Sequence, residues 1–455
     1  MDPLPLNQVV QGDSVEVLQG FPDNCIDLVV TDPPYGLSFM GKEWDKALPP
    51  IEAFKEINRV LKPGALAFVM SSPRQDLMWR MMKLLEDSGF EMKQSFISWI
   101  YKTGFPKAYD VSKGIDKKHG LEPEKIPRTD RLYEDITHGN YNRKDGKSNS
   151  TKTLYNSIPV SVDAKEWDGW KSITGLKPAL EPILMVNKPL SEKTIVDNVL
   201  RWGTGAINID ACRIPINSDN DTLPEFIKTK KESVNAYGDG LSGSKRTGEE
   251  SKEGRFPANL LVSDGALDTG ELSKSGDLRL HHNLGKDENG YAKTNVYGKY
   301  TRIDYDFNGD IGDQSRYFDL DAWAKHHGLL DVPKPDNQER DFGLTGKKQV
   351  PKSKFNLNDG SKDERFDGII PTPRRNTHPT VKPIKLMSYL IELGGPRDGV
   401  VMDPFVGSGT TCIAAKQLCR KYIGIELDKK YHALAEARIA AYPQPLEWFT
   451  EANIE

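Results

Sequence analysis

Two stretches carry side chains whose types and spacing suit chemistry. In the first, Asp32, Pro33, Pro34 and Tyr35 follow the apolar run IDLVV after a single threonine. Prolines donate no ladder hydrogen bond, so a buried strand must stop at about Thr31. With φ fixed at both prolines, the next residues are held stiffly at the strand's carboxyl end. They offer a carboxylate, free carbonyls and a flat ring, a clamp for a planar object that donates hydrogen bonds. The second stretch is DPFVGSGTT, residues 403–411. Gly407 and Gly409 allow a tight turn and close backbone approach, and a helix starting near Thr410 aims its amide N–H groups at the turn. An ordinary strand-to-helix turn would look the same from the two glycines alone. Glu426, nineteen residues after Gly407 at the end of YIGIELD, adds to it. That spacing suits an acid that takes ribose hydroxyls. The turn lacks both the third glycine of a dinucleotide fingerprint and the lysine of a P-loop, which favours a nucleoside without phosphates.

These residues need strands and helices to hold them. NQVV and IDLVV are short β-rich runs, and IEAFKEINRVL spaces Ile51, Phe54, Ile57 and Leu61 at helical intervals. KPG at 62–64 ends that helix, and ALAFVM follows as a buried strand. DLMWRMMKLLEDSGF reads as a helix closed by Gly89, and KQSFISWIYK as a strand. EPILMV is an isolated strand, and residues 379–441 return to strand–helix alternation. Such alternation predicts an α/β fold with a mainly parallel, doubly wound sheet. Residues 103–177 and 190–375 are polar, rich in Gly, Asn, Lys and Asp, and without sustained period. Structureless loops of that length are unusual inside a core, so both read as insertions forming a second, partly flexible module.

Composition bounds the partners. The chain has 455 residues, 37% hydrophobic and 28% charged, with a net charge of −4, which argues against a uniformly basic coat but not against a local basic face. Residues 340–385 supply that face, with eleven Lys/Arg against five acids. Lys347, Lys348, Lys352, Lys354, Arg374 and Arg375 are its candidate phosphate contacts, although charge runs are usually just solvated. Four cysteines without a CxxC pair indicate neither a disulfide framework nor zinc, and suit a reducing cytoplasm. No metal site is expected: His378 and the His326–His327 pair read as solvated or capping. No apolar run approaches a membrane span, and MDPLPLNQ lacks the features of a signal peptide.

DPPY at 32–35 together with DPFVGSG at 403–409 resembles the S-adenosylmethionine-dependent DNA amino-methyltransferases, which methylate adenine N6 or cytosine N4. The motif order resembles their β group, and WGTGAINIDACRI with GRFPANLL resembles phage and prophage members. The resemblance covers about 1–110, 178–190 and 376–445. It implies a circularly permuted Rossmann-like core, with 1–110 the catalytic half, 376–445 the cofactor half and 178–190 a further core strand. Target recognition then falls to 103–177 and 190–375. It implies that Asp403, Pro404, Phe405, Gly407, Gly409, Thr410 and Glu426 line the cofactor, that Asp13 contacts its adenine end, and that Thr380 and Lys382 of HPTVKP border its methionine end. Alternatives are an N-cap role for Asp13 before SVEVL and a plain helix start at HPTVKP.

The clamp then has an object: a flipped-out base. Tyr35 would stack on it, worth ~1–3 kcal/mol, so Phe or Trp would serve equally. Asp32 and the Pro33 carbonyl would accept the amino N–H bonds and orient the nitrogen lone pair. Partners implied are double-stranded DNA, with a homodimer and a cognate restriction nuclease left open. Adenine is favoured because DPPY is commoner in the family's adenine enzymes, whereas many cytosine N4 enzymes begin with serine. Cytosine C5 chemistry needs a Pro-Cys nucleophile, which the chain lacks. The rivals are a protein-glutamine or RNA methyltransferase, whose cofactor motif usually comes first, and a non-catalytic DNA-binding protein, against which intact Asp32, Tyr35, Gly407 and Glu426 argue.

Overall fold

The computed structural model describes residues 3–37, 45–102, 109–122, 124–127, 155–172, 176, 179–216, 225–227, 254–274, 278–280, 305–308, 311–329, 337–342, 344, 376, 378 and 380–442. The chain divides into two compact units, one of Met1–Thr103 with Leu180–Glu455 and one of Gly104–Ala179.

The first unit is built on an eight-stranded sheet. Its strands are β1 (Gln8–Gln11), β2 (Ile26–Thr31), β3 (Leu61–Met70), β4 (Ile97–Tyr101), β5 (Ala179–Asn187), β6 (Leu260–Ser263), β7 (Val400–Asp403) and β8 (Lys421–Glu426). Their spatial order is β1-β8-β7-β2-β3-β5-β4-β6. β1, β8, β7, β2 and β3 are parallel, and β5 runs antiparallel to β3. Strands from the two ends of the sequence therefore interleave. Taken in the cyclic order β7, β8, β1 and then β2, β3, the strands wind outward first one way and then the other. The reversal lies between β7 and β2. Open α/β sheets place their ligand crevice outside the carboxyl ends at such a reversal.

Side-chain alternation along the strands divides the core between the two faces. On one face, Ile26, Val29, Ala67, Val69, Met402, Ile423 and Ile425 meet Leu18, Phe54, Ile57, Val60, Met81 and Leu85. These come from helices α1 (Ser14–Gln19), α2 (Ile51–Val60) and α3 (Gln75–Asp87). Burying each large apolar side chain contributes about 1.5–3 kcal/mol. On the opposite face lies α4 (Ile384–Gly394), so close that a Cβ at Gly394 would sit 2.6 Å from Phe68 and 3.1 Å from Leu28. Two further helices follow the strands of the second motif, α5 (Thr410–Gln417) and α6 (Lys429–Ala441).

The KPG segment differs from the sequence expectation. α2 stops at Val60, and β3 begins at once, with Lys62, Pro63 and Gly64 inside it. Pairing with β2 jumps from Ile26↔Leu61 to Leu28↔Leu66, so the extra residues form an irregularity rather than a helix end. Gly64 has φ +78, and a Cβ there would meet Asn198 Nδ2 at 2.6 Å. That amide donates to the Pro63 carbonyl at 2.8 Å and holds the bulge. β6 is a second difference: residues 260–263, expected within an insertion, form the edge strand beside β4.

In the second unit, Val111–Lys118 and Val162–Glu166 are helices, and Glu124–Pro127 pairs antiparallel with Tyr155–Ile158. Asp116 accepts from the Val160 and Ser161 amides at 2.9 and 3.0 Å. Trp167 and Trp170 are exposed and meet edge to face at 5.1 Å.

Candidate active site

β2 delivers the first motif. It is buried along its length and ends at Thr31, immediately before Asp32. The loop that follows is pinned by the buried Asp45, whose Oδ1 accepts the amides of Tyr35 at 2.8 Å and Gly36 at 3.0 Å. Asp32 is the hub of a compact polar cluster. Tyr35 Oη donates to its Oδ1 at 2.5 Å, and Lys382 Nζ donates to its Oδ2 at 2.5 Å. The same ammonium lies 3.3 Å from Glu181 Oε2 and 5.6 Å from the Tyr35 ring centroid. Glu181, on β5, accepts from Tyr101 Oη of β4 at 2.7 Å through its other oxygen.

The electrostatics follow from this crowding. Burial would lower the Lys382 ammonium, but Asp32 and Glu181 outweigh it and hold the proton well above the ordinary lysine range. Burial, with Asp32 and Glu181 beside it, pushes the Tyr35 phenol far up, and burial with Glu181 does the same to Tyr101. Both phenols are therefore neutral donors.

β7 and β8 deliver the second motif. Asp403 is buried and fully used: it accepts from Thr31 Oγ1 at 2.7 Å, Thr411 Oγ1 at 2.7 Å and the Phe405 amide at 3.1 Å. Burial raises it to about 6 despite these bonds. The Thr31–Asp403 bond joins the two motifs across 372 residues of sequence. Phe405 reaches the core beside Phe54, with ring centroids 6.2 Å apart. Glu426 closes the turn, accepting the Gly407 amide at 2.8 Å and the Asp428 amide at 2.8 Å on its two oxygens. Burial lifts its carboxyl to about 7, with the two amides opposing.

The turn is tightly supported. Gly407 has φ +54, and a Cβ there would lie 2.8 Å from His378 Nε2. His378 meets the Thr380 carbonyl at 2.8 Å through Nδ1, which must carry the proton because a carbonyl only accepts. Burial holds its pKa down to about 4. It packs on Tyr431 at 4.6 Å between ring centroids, so of the two roles expected for it, solvated or capping, the solvated one is corrected. Gly409, at φ +84, lies against Ala435 of α6. Arg438 on the same helix donates to Ser408 O at 2.6 Å and Ser408 Oγ at 3.0 Å and approaches Thr410 Oγ1 at 3.3 Å.

Asp32, Tyr35 and Lys382 thus meet at the end of β2, while Asp403, Gly407, Gly409, Thr410 and Glu426 meet at the ends of β7 and β8. Asp13 caps α1, accepting the Val15 amide at 2.8 Å, and follows Gly12, whose amide donates to the Glu426 carbonyl at 3.0 Å. Lys382, which the resemblance places at the methionine end of the cofactor, is ion-paired with Asp32 and Glu181, and Thr380 uses its carbonyl to orient His378. The Tyr35 hydroxyl, expected to be dispensable, is engaged with Asp32. Glu181, Tyr101, Asp45 and Arg438 were not singled out from sequence. An acid heading the apolar run EPILMV was the one available signal. Lys347, Lys348, Lys352, Lys354, Arg374 and Arg375 lie outside the described residues. Among the described residues, no cluster of His, Cys, Asp or Glu could hold a metal, and no helix is long and apolar enough to cross a membrane.

Parts of the chain match known proteins. The putative methylase YubD of Escherichia coli is 46% identical over 70 residues, 15% of this chain and 31% of that protein. The type II methyltransferase M2.DpnII of Streptococcus pneumoniae is 44% identical over 64 residues, 14% of this chain and 24% of that protein. The match thus spans less than a third of either relative's length. Among solved structures, the PvuII DNA methyltransferase (cytosine-N4-specific) aligns over 99% of this chain and 90% of its own at 15% identity, with a TM-score of 0.37. The sequence profile described as DNA methylase, of the N6/N4 type, matches residues 26–437, spanning β2 through α6 and both motifs, and the chain belongs to that family.

Proposed function

We propose that the protein transfers a methyl group from S-adenosylmethionine to the exocyclic amino group of a base flipped out of DNA, with adenine N6 as the acceptor. The observation that carries this reading is the Thr31–Asp403 hydrogen bond, which sets the amino-group clamp and the nucleoside turn side by side at the sheet's reversal. The donor set suits the cofactor: both Glu426 oxygens already accept a backbone amide and keep lone pairs for ribose hydroxyls. Gly407, Gly409, Asp403 and Phe405 would shape that pocket, with Asp13 at the neighbouring strand end.

Bound there, S-adenosylmethionine would supply an electrophilic methyl: the amino lone pair would form the N–C bond as the C–S pair withdrew to sulfur, and the nitrogen would then release one proton to solvent water. Asp32 accepts an amino N–H and aims the lone pair. Lys382 and Tyr35 fix the two oxygens of Asp32, so that orientation is set before the base arrives. Tyr35 presents its ring to the base. Aspartate as the first residue of the motif supports adenine over cytosine N4. The test is mass spectrometry of DNA digested after treatment with protein and cofactor. N6-methyladenine is the expected product; N4-methylcytosine would keep the mechanism and overturn the base, and no methylated base would overturn the reading.

A further inference from the structure

We propose that Glu181 is a positioning residue of this transfer, holding Lys382 against Asp32 and leaving the cluster with one uncompensated negative charge beside the reacting nitrogen. The inference rests on the function proposed above and goes beyond it, because Glu181 lies outside both motifs, on the antiparallel strand β5.

The charges of the cluster do not cancel. It contains two carboxylates, Asp32 and Glu181, and one ammonium, Lys382, at 2.5 and 3.3 Å from them. Tyr35 and Tyr101 donate to these carboxylates and are neutral. Among the described residues the formal sum is −1. An Asp32–Lys382 pair alone would be neutral. Glu181 restores the charge. It shares the ammonium with Asp32, and it is itself fixed by Tyr101 at 2.7 Å. During transfer, positive charge moves from the sulfonium to the amino nitrogen, which must then lose a proton. A fixed charge of opposite sign near that nitrogen, in a site sheltered from water, stabilises this change without reorganisation. The Lys382 side chain is 9% exposed and that of Glu181 20%, so the charges are poorly screened by solvent.

The experiment measures single-turnover transfer of labelled methyl to unmethylated plasmid DNA, with cofactor affinity measured separately by calorimetry. Glu181→Gln is expected to slow transfer at least about tenfold, as for one unit charge a few ångströms away at an effective dielectric near 20, with cofactor affinity unchanged. Glu181→Asp keeps the charge and is expected to recover most of the rate. The decisive variant is Glu181→Gln with Lys382→Met, which restores the sum to −1 and is expected to be faster than Glu181→Gln alone. A purely structural role for Glu181 predicts the reverse, because a second buried partner is then removed. An unchanged rate in Glu181→Gln, or a double variant no faster than the single one, overturns the proposal. If Glu181→Gln does not fold, Tyr101→Phe, which frees Glu181 while keeping every charge, is expected to slow transfer with cofactor affinity unchanged, and an unchanged rate overturns the proposal. Absence of label in DNA treated with the unaltered protein overturns the methyltransfer reading itself and this inference with it, which separates the two failures.

Discussion

At the scale of single residues, the proposed function separates groups that orient from groups that bind. Among the described residues, Asp32 bonds to Tyr35 and Lys382 and not to the glycine turn. Asp32→Ala should therefore abolish transfer, by ~10²-fold or more, while calorimetry finds cofactor affinity nearly intact. Normal turnover in that variant would overturn the mechanism. Tyr35→Phe keeps the ring but removes the 2.5 Å bond to Asp32. A hydrogen bond to a charged group contributes about 1.5–3 kcal/mol, so the expected loss is roughly tenfold or more in the chemical step. Equal activity would return Tyr35 to a stacking role alone. Glu426 offers a pH test. Its carboxyl is raised to about 7 in the folded chain. The fold therefore holds this proton more tightly than the unfolded chain, and the group's contribution to stability is greatest below the ordinary glutamate pKa and is lost as pH rises through 7. Ribose hydroxyls need the ionised acceptor, so cofactor affinity should move oppositely, weakening as pH falls through 7. Glu426→Gln should bind weakly and flatten that dependence in calorimetry.

At the scale of elements, the glycine turn depends on a histidine that belongs to neither strand nor helix. Gly407→Ala combines a left-handed φ of +54 with a Cβ 2.8 Å from His378 Nε2. The backbone strain alone costs about 1–2 kcal/mol, and thermal melts should register it together with weaker cofactor binding. His378→Ala in the same chain should relieve the clash and leave the backbone strain. These elements also mark how far the amino-acid order speaks for itself. Asp32, Tyr35, Asp403, Gly407 and Glu426 were legible because proline and glycine punctuate the chain locally and place a side chain at a strand's end. The pairing of Lys382 with Glu181 was not, since it depends on β5 running antiparallel to β3, which no local pattern announces. β6 was missed for the same reason: four residues in polar surroundings become a strand only beside β4. KPG misled because its turn signal, real enough to bend the chain, is absorbed as an irregularity inside β3.

At the scale of the whole molecule, the proposed function requires DNA to be gripped by a chain whose net charge is −4, so the grip has to be local. The basic excess of 340–385 is the region the sequence offers for it. Neutralising Lys347, Lys348, Lys352 and Lys354 should reduce the slope of log affinity against log salt by ~0.9 for each phosphate that the segment no longer neutralises. A wild-type slope in the quadruple variant would exclude that segment from tracking the backbone. The interleaved sheet has a consequence of its own, in time rather than space. β7 and β8, from residues 400–426, lie between β1 and β2, from residues 8–31. As the chain leaves the ribosome, its first strands emerge early and wait with bare edges for central neighbours that are made last. Pairings of such sequence separation form slowly and expose strand edges to misassembly. Nascent chains halted before residue 400 should accordingly be cut readily by protease within β1 and β2, and chains extended past residue 441 should resist.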